Sequence, residues 1–237
     1  MVTIYKREMG SYFRSPVAYC LMGFFMVIVG IFFVYNNINN HNVSFADTLK
    51  SLIIYLAVFA PLFTMKLLAD ERRNNTEVLL RTSPVSIWGV VLGKYFAALS
   101  VFLVMIALTF IYPTILNFLV NDGGSIPVSV NIGGYIAFIL LGAFFLSVGL
   151  FTSSLTENQV VAAVSGIVIL VCMYFMQYLA SSIGGVVGSA LQWISPMARY
   201  NDFAAGAFNF ASLIFYISLS AVFLFITVMN MERKRWS

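Results

Sequence analysis

Long apolar runs separated by short polar stretches organise the chain, at 17–35, 52–68, 95–120, 132–153, 160–180 and 210–230. Each comes close to or reaches the roughly 20 residues that a helix needs to cross the hydrocarbon core of a bilayer. In lipid every backbone N–H and C=O must be paired within the protein, and the runs lack the alternating pattern of barrel strands. The pattern therefore predicts an all-α integral membrane protein with six transmembrane helices. No stretch between the runs is long enough for a separate domain, so residues 1–237 read as a single transmembrane domain.

Ahead of the first run, Val2, Tyr5, Met9 and Tyr12 recur at helical spacing, with Lys6, Arg7, Gly10 and Arg14 toward the other side. This predicts a short N-terminal helix lying in the membrane interface and stopped at Ser15-Pro16, the alternative being a frayed basic tail. The run at 17–35 is longer than a typical signal core and has no small-x-small cleavage pattern, so it reads as a retained first span.

Between the fifth and sixth runs, residues 181–209 are amphipathic where a simple link would be polar. They carry Gly184, Gly185 and Gly188, then Trp193, Ser195-Pro196, Arg199, Asp202, Phe203 and Gly206. The expectation is a re-entrant outer segment of short helices broken at Pro196, covered by protein. Arg199 and Asp202, three residues apart, can pair locally, and Trp193 and Tyr200 also suit plain interfacial anchoring. The other outer stretches, 35–51 with its asparagines and His41, and 121–130 with Gly123, Gly124 and Pro127, read as plain turns.

Charge adds a direction. Eleven of the thirteen Lys and Arg residues fall at one set of ends (Lys6, Arg7, Arg14, Lys66, Arg72, Arg73, Arg81, Lys94, Arg233, Lys234, Arg235), leaving Lys50 and Arg199 opposite. Cytoplasmic loops keep such an excess, so both termini are expected in the cytoplasm, as an even number of spans requires. The net charge of +4 then fits an anionic inner leaflet better than nucleic acid. Composition agrees: 61% hydrophobic, 9% charged and a mean hydropathy of +0.93 exclude a water-soluble globule.

Several chemistries find no foothold. The one histidine, His41, lacks Cys, Asp or Glu neighbours at ligand spacing, and Cys20 and Cys172 lie inside apolar runs. No carboxylate pair sits within the spans and no Gly-x-Ser-x-Gly elbow is present, so no catalytic set is expected. The stretch GVVLGK at 89–94 has three residues between its glycines where a phosphate loop has four, and Tyr95 replaces the Mg²⁺-binding hydroxyl. No cofactor or metal is expected on this chain. If it drives uphill transport, another chain hydrolyses the nucleotide. Apart from Lys66, near the cytoplasmic end of its span and able to snorkel out, the spans carry no charge and offer no group for a coupling ion, whereas small residues four apart, such as Ala162 and Gly166, suggest close helix packing.

The polar stretch 70–94, DERRNNTEVLLRTSPVSIWGVVLGK, stands apart. It divides into an acidic-basic cluster at 70–73, a helix-like piece at 76–81 capped by Thr76 with Glu77 in its first turn, a break at Ser83-Pro84, and a second helix entering the third span. Leu79 and Leu80 form an apolar knob. Such a short helix suits insertion into a partner's groove, or else rests on lipid.

Residues 69–99 resemble the cytoplasmic loop of type-2 ABC transporter permeases, matching at Glu71, Thr76, Glu77, Leu79, Leu80, Pro84, Gly93 and Lys94. Asn75 stands where glycine is usual and Val78 where a second glutamate is common. The likeness continues through Ser15-Pro16, Ser195-Pro196, the stretch from Asp202-Phe203 to Gly206 and the end at 232–236, and is greatest for the gliding-motility (GldF-like) subgroup. It implies a permease that works as a homo- or heterodimer, an exporter in the bacterial inner membrane. Separate ABC ATPase subunits would bind ATP and Mg and seat on a cytoplasmic coupling helix between spans 2 and 3. By that resemblance Glu71, Thr76, Glu77, Leu79, Leu80, Pro84 and Lys94 form the ATPase contact, and Trp193, Pro196, Asp202 and Phe203 shape an outer gate. A non-transporting scaffold or mechanotransmitter moved by the same ATPase is the alternative.

Overall fold

The computed structural model describes residues 1–74, 86–119, 127–204 and 209–233, and among these it is all-helical. Helix α1 (Val2–Arg14) ends at Ser15, whose extended backbone turns the chain into α2 (Pro16–Phe33) with Pro16 at its first position. Proline suits that position because its missing N–H would have no intrahelical partner there. Helix α2 runs on into a π-helical turn at Val34–Asn39, and a short α3 (Phe45–Ser51) leads into α4 (Ile53–Arg73). The third span is α5 (Ile87–Thr109) continued by α6 (Ile111–Leu119). Then follow α7 (Val128–Leu155), α8 (Gln159–Ile183), the short α9 (Gly185–Ile194) and α10 (Pro196–Ala204), and α11 (Phe210–Arg233). Six of these helical stretches are long and apolar enough to cross a membrane, matching the six runs.

Helix α7 is the hub. It packs against α3, α4, α5, α8, α10 and α11 and is the most buried of the six spans. Small residues make this possible. A Cβ on Gly149 would lie 2.2 Å from Thr64 Oγ1 and 3.1 Å from the Cα of Pro61, and one on Gly166 of α8 would lie 2.9 Å from the Pro61 ring. The glycines thus let α4, α7 and α8 meet around Pro61, which sits inside α4 without ending it. In lipid, where apolar surface gains little from being buried against another helix, such close packing supplies much of the helix association. Ala162, one turn earlier on α8, is buried as well.

Polar stitches lie at the two ends of the bundle. At the end bearing most of the basic residues, Ser153 Oγ donates to Met65 O and accepts from the N–H groups of Leu68 and Ala69, all within 3.1 Å. Arg72 donates to Ser154 O, Asn230 donates to the same carbonyl, and Gln159 Nε2 donates to Asp70 Oδ1 at 2.6 Å. The charged turn 70–73, expected in the loop, is therefore the last turn of α4. Charged residues at a helix end are as helix-competent as apolar ones, so the helix outlasts its apolar run.

At the opposite end, the stretch expected as plain turns is built. Asn37 is buried and donates to Asn42 O and Ser44 O while accepting from Thr48 Oγ1 at 2.6 Å. Asn131 Oδ1, from α7, accepts from the N–H groups of Phe45 and Ala46, capping α3 across the fold. The turns expected over 121–130 lie mostly outside the described residues.

A buried ion-pair cluster at the candidate functional site

The third span starts at Ile87 with Ser86 as a cap, its Oγ accepting from Gly89 N at 3.2 Å. Two turns in, Gly93 and Lys94 meet α1. A Cβ on Gly93 would lie 3.2 Å from both Ile4 Cγ2 and Met1 O, so glycine sets how closely α1 approaches. The next residue, Lys94, is 1% exposed at its side chain. Its Nζ donates to Leu67 O at 2.6 Å and lies 3.1 Å from Glu8 Oε1 and 2.8 Å from Glu71 Oε1. Arg7 closes the ring, with Nη2 2.6 Å from Glu8 Oε1 and 2.5 Å from Glu71 Oε1. Two cations and two carboxylates from α1, the end of α4 and the start of α5 thus balance one another.

Burial of a lone ammonium costs several kcal/mol, and pairing with hydrogen-bonded partners offsets it. The electrostatics of Arg7 follow from the same balance. Burial pulls its guanidinium down, but the hydrogen bonds and negative charge of Glu8 and then Glu71 outweigh that and leave its pKa raised. Burial, assisted by the Glu8 charge, likewise pushes the Tyr12 hydroxyl up. Tyr12 Oη donates to Phe63 O at 2.7 Å, and Tyr5 Oη lies 3.0 Å from Ser100 Oγ. Helix α1 is therefore fastened to α4 and α5 by charge and by hydroxyls.

The apolar pattern predicted the helix, but its buried face differs. Ile4 and Glu8 are the buried residues of α1, Tyr5, Met9 and Tyr12 are half-buried, and Val2 is exposed. Glu8 carries no signal in a hydropathy pattern. The one sign of it is a carboxylate beside Lys6 and Arg7 in an otherwise basic helix.

Of the residues expected at the ATPase contact, Glu71 and Lys94 come together in this cluster, and Glu71 is 14% exposed at its side chain. Thr76, Glu77, Leu79, Leu80 and Pro84, with the short helix and the break expected there, lie outside the described residues. Among the described residues no three His, Cys, Asp or Glu side chains gather as metal ligands.

The residues expected at an outer gate separate. Trp193 is 72% exposed at the end of α9, whereas Phe203 is fully buried in α10, which packs on α7. Pro196 is buried and its carbonyl accepts from Tyr216 Oη at 2.6 Å, tying α10 to the last span. The break before Pro196 is as expected: α9 ends at Ile194, and α10 begins at Pro196. The side chain of Asp202 lies outside those described; Arg199 stacks over Trp193, 4.6 Å from the ring centroid, and Phe215, at 5.6 Å. Stacking of a guanidinium on rings helps to hold it in place. Burial also pushes the Tyr200 hydroxyl up, with the charge of Asp47 in the same direction.

Comparison with known proteins adds one finding. Residues 35–231 match the family model described as ABC-2 family transporter protein, a span from the π-helical turn to the end of α11. A search of curated proteins finds no match to the chain.

Proposed function

Since the chain belongs to the ABC-2 transporter family, of which it is a membrane-spanning permease subunit, we propose that it works as an exporter subunit driven through its basic end. Two such subunits, identical or related, enclose the path. Each seats residues 75–85 on a separate ATPase that binds ATP and Mg, with the basic end and both termini facing the cytoplasm of a bacterial inner membrane. Leu79 and Leu80 enter the ATPase groove, flanked by Thr76, Glu77 and Pro84. Glu71 and Lys94 act as positioning residues behind them.

The observation that carries this reading is the ion-pair cluster. The segment 75–85 leaves the end of α4 and returns into α5, and Lys94 ties both of those helices and α1 together within 3.1 Å. A push on the segment then moves three elements as one body, which is what coupling to an external motor requires. Phe203, Pro196, Trp193 and Asp202 form the outer gate in this proposal, with α10 relaying movement of α7 and α11. Away from their basic ends the spans carry no charge, which suits a largely apolar or amphipathic cargo.

The double variant Leu79→Asp, Leu80→Asp tests the seating. Buried apolar anchors of this kind are worth about 2 kcal/mol or more each at an interface. ATPase retained on co-purification is therefore expected to fall at least about tenfold, while the variant chain elutes as wild type. Unchanged retention and unchanged ATP-dependent activity would refute the contact.

A further inference from the structure

At the basic end, α1, the start of α2 and the last turns of α4 enclose a cavity of about 310 Å³. That volume lies at the lower edge of the range of small-molecule sites, about 300–1,000 Å³. Its wall changes character with depth. Leu21 and Leu62, each more than a turn inside its helix, line the cavity together with Val17 at the start of α2, whereas Lys66, Asp70 and Arg7 line it toward the charged turn. An apolar lane that opens into a charged chamber at the end of the spans matches the join between lipid chains and headgroups.

Most of the charges around the chamber are already spent. Arg7, Glu8, Glu71 and Lys94 satisfy one another. Lys66 is exposed to the cavity and has no ion pair among the described residues, and Asp70 accepts an amide hydrogen bond from Gln159 with no cation opposite it. These two stand four residues apart on α4, so their side chains leave the same face roughly 5–6 Å apart at Cβ. One ammonium and one carboxylate at that spacing complement a phosphate and an ammonium joined by a two-carbon linker.

We propose that this cavity seats the headgroup of a phospholipid carrying ethanolamine, its phosphate on Lys66, its ammonium on Asp70 and one chain leaving along Val17, Leu21 and Leu62. The site does not depend on which way the subunit drives cargo. A lipid held there wedges α1 against α2 and fills the space beside the ion-pair cluster.

The test uses the full chain purified in mild detergent, with bound lipid read by native mass spectrometry. Phosphatidylethanolamine, phosphatidylglycerol and tail-free phosphoethanolamine are added separately. The expected result is a one-to-one phosphatidylethanolamine adduct. Lys66→Gln and Asp70→Asn each weaken it by about tenfold, as loss of one charge-assisted contact implies, and Asp70→Asn does so without weakening phosphatidylglycerol as much. Leu21→Trp fills the apolar lane and displaces the lipid while leaving every charge in place, so loss of binding need not be blamed on misfolding of the charged turn. Equal binding of the two lipids, equal binding of the tail-free headgroup, or unchanged adducts in all three variants would each overturn the proposal.

Discussion

Lys94→Met is expected to destabilise the protein by about 3–5 kcal/mol, the cost of removing one partner from a buried charge pair. The variant leaves Glu8 and Glu71 facing a single cation, Arg7, and frees Leu67 O of its 2.6 Å hydrogen bond. The consequence should be local before it is global. Helix α1 would lose its charged tie to α5 and keep the Arg7–Glu71 pair, Tyr5 and Tyr12, so its amides should exchange with solvent faster than those of α7. Thermal unfolding in detergent measures the first effect, and hydrogen exchange measures the second. A cluster that acts through charge balance also predicts rescue. Lys94→Met combined with Glu71→Gln recovers part of the loss, because it removes the uncompensated carboxylate. Wild-type stability and wild-type protection of α1 in the single variant would mean that the ring contributes nothing.

The second large effect lies in the middle of the bundle. Gly149→Ala would put a methyl carbon 2.2 Å from Thr64 Oγ1, with the Pro61 backbone 3.1 Å behind it. Thr64 cannot simply swing away, since its hydroxyl donates to Ala60 O at 3.0 Å. Overpacking of this kind costs about 1–3 kcal/mol, and Gly149→Val should exceed that and separate α4 from α7. Gly10→Ala is the control. Nothing lies within 4 Å of a Cβ there, and alanine in place of glycine inside a helix should help by up to about 1 kcal/mol. Thr64→Ala in the Gly149→Ala background should recover much of the loss. Equal melting temperatures for the position 10 and position 149 variants would contradict the packing argument.

The six spans were legible because the need to bury backbone in lipid writes itself into composition over each run. The helix α1, stopped by Ser15-Pro16, and the break at Pro196 were legible for a related reason, since proline and helical spacing act locally. What stayed hidden are partners far apart in the chain. Nothing near Lys94 in sequence says that Glu8 will meet it, and nothing near Phe45 says that Asn131 will cap its helix. Helix α3 was missed because its neighbours are asparagines. Its apolar residues, Phe45, Ala46 and Leu49, are all buried, but seven residues are too few for a period to stand out. The charged turn 70–73 reads as loop because only an apolar run marks the helix in the sequence, whereas the backbone continues past it to Arg73.

Lys94 shows how a motif can be found for one reason and placed by another. The pair Gly93-Lys94 was singled out by family resemblance, yet in the fold the glycine lets α1 approach and the lysine holds it. The residues proposed to touch the ATPase and those that fasten the loop's two ends therefore need different tests. Variants at Leu79 and Leu80 should uncouple a folded protein, whereas variants at Lys94 should loosen the fold first.

Everything proposed for this subunit depends on energy arriving from another chain. The most direct measurement reconstitutes the purified polypeptide into sealed vesicles, alone and with its partner ATPase, and follows ATP hydrolysis and ATP-dependent movement of an amphipathic reporter. Neither activity is expected from the chain alone, and both are expected from the pair. Hydrolysis or uphill movement by the chain alone would contradict that dependence.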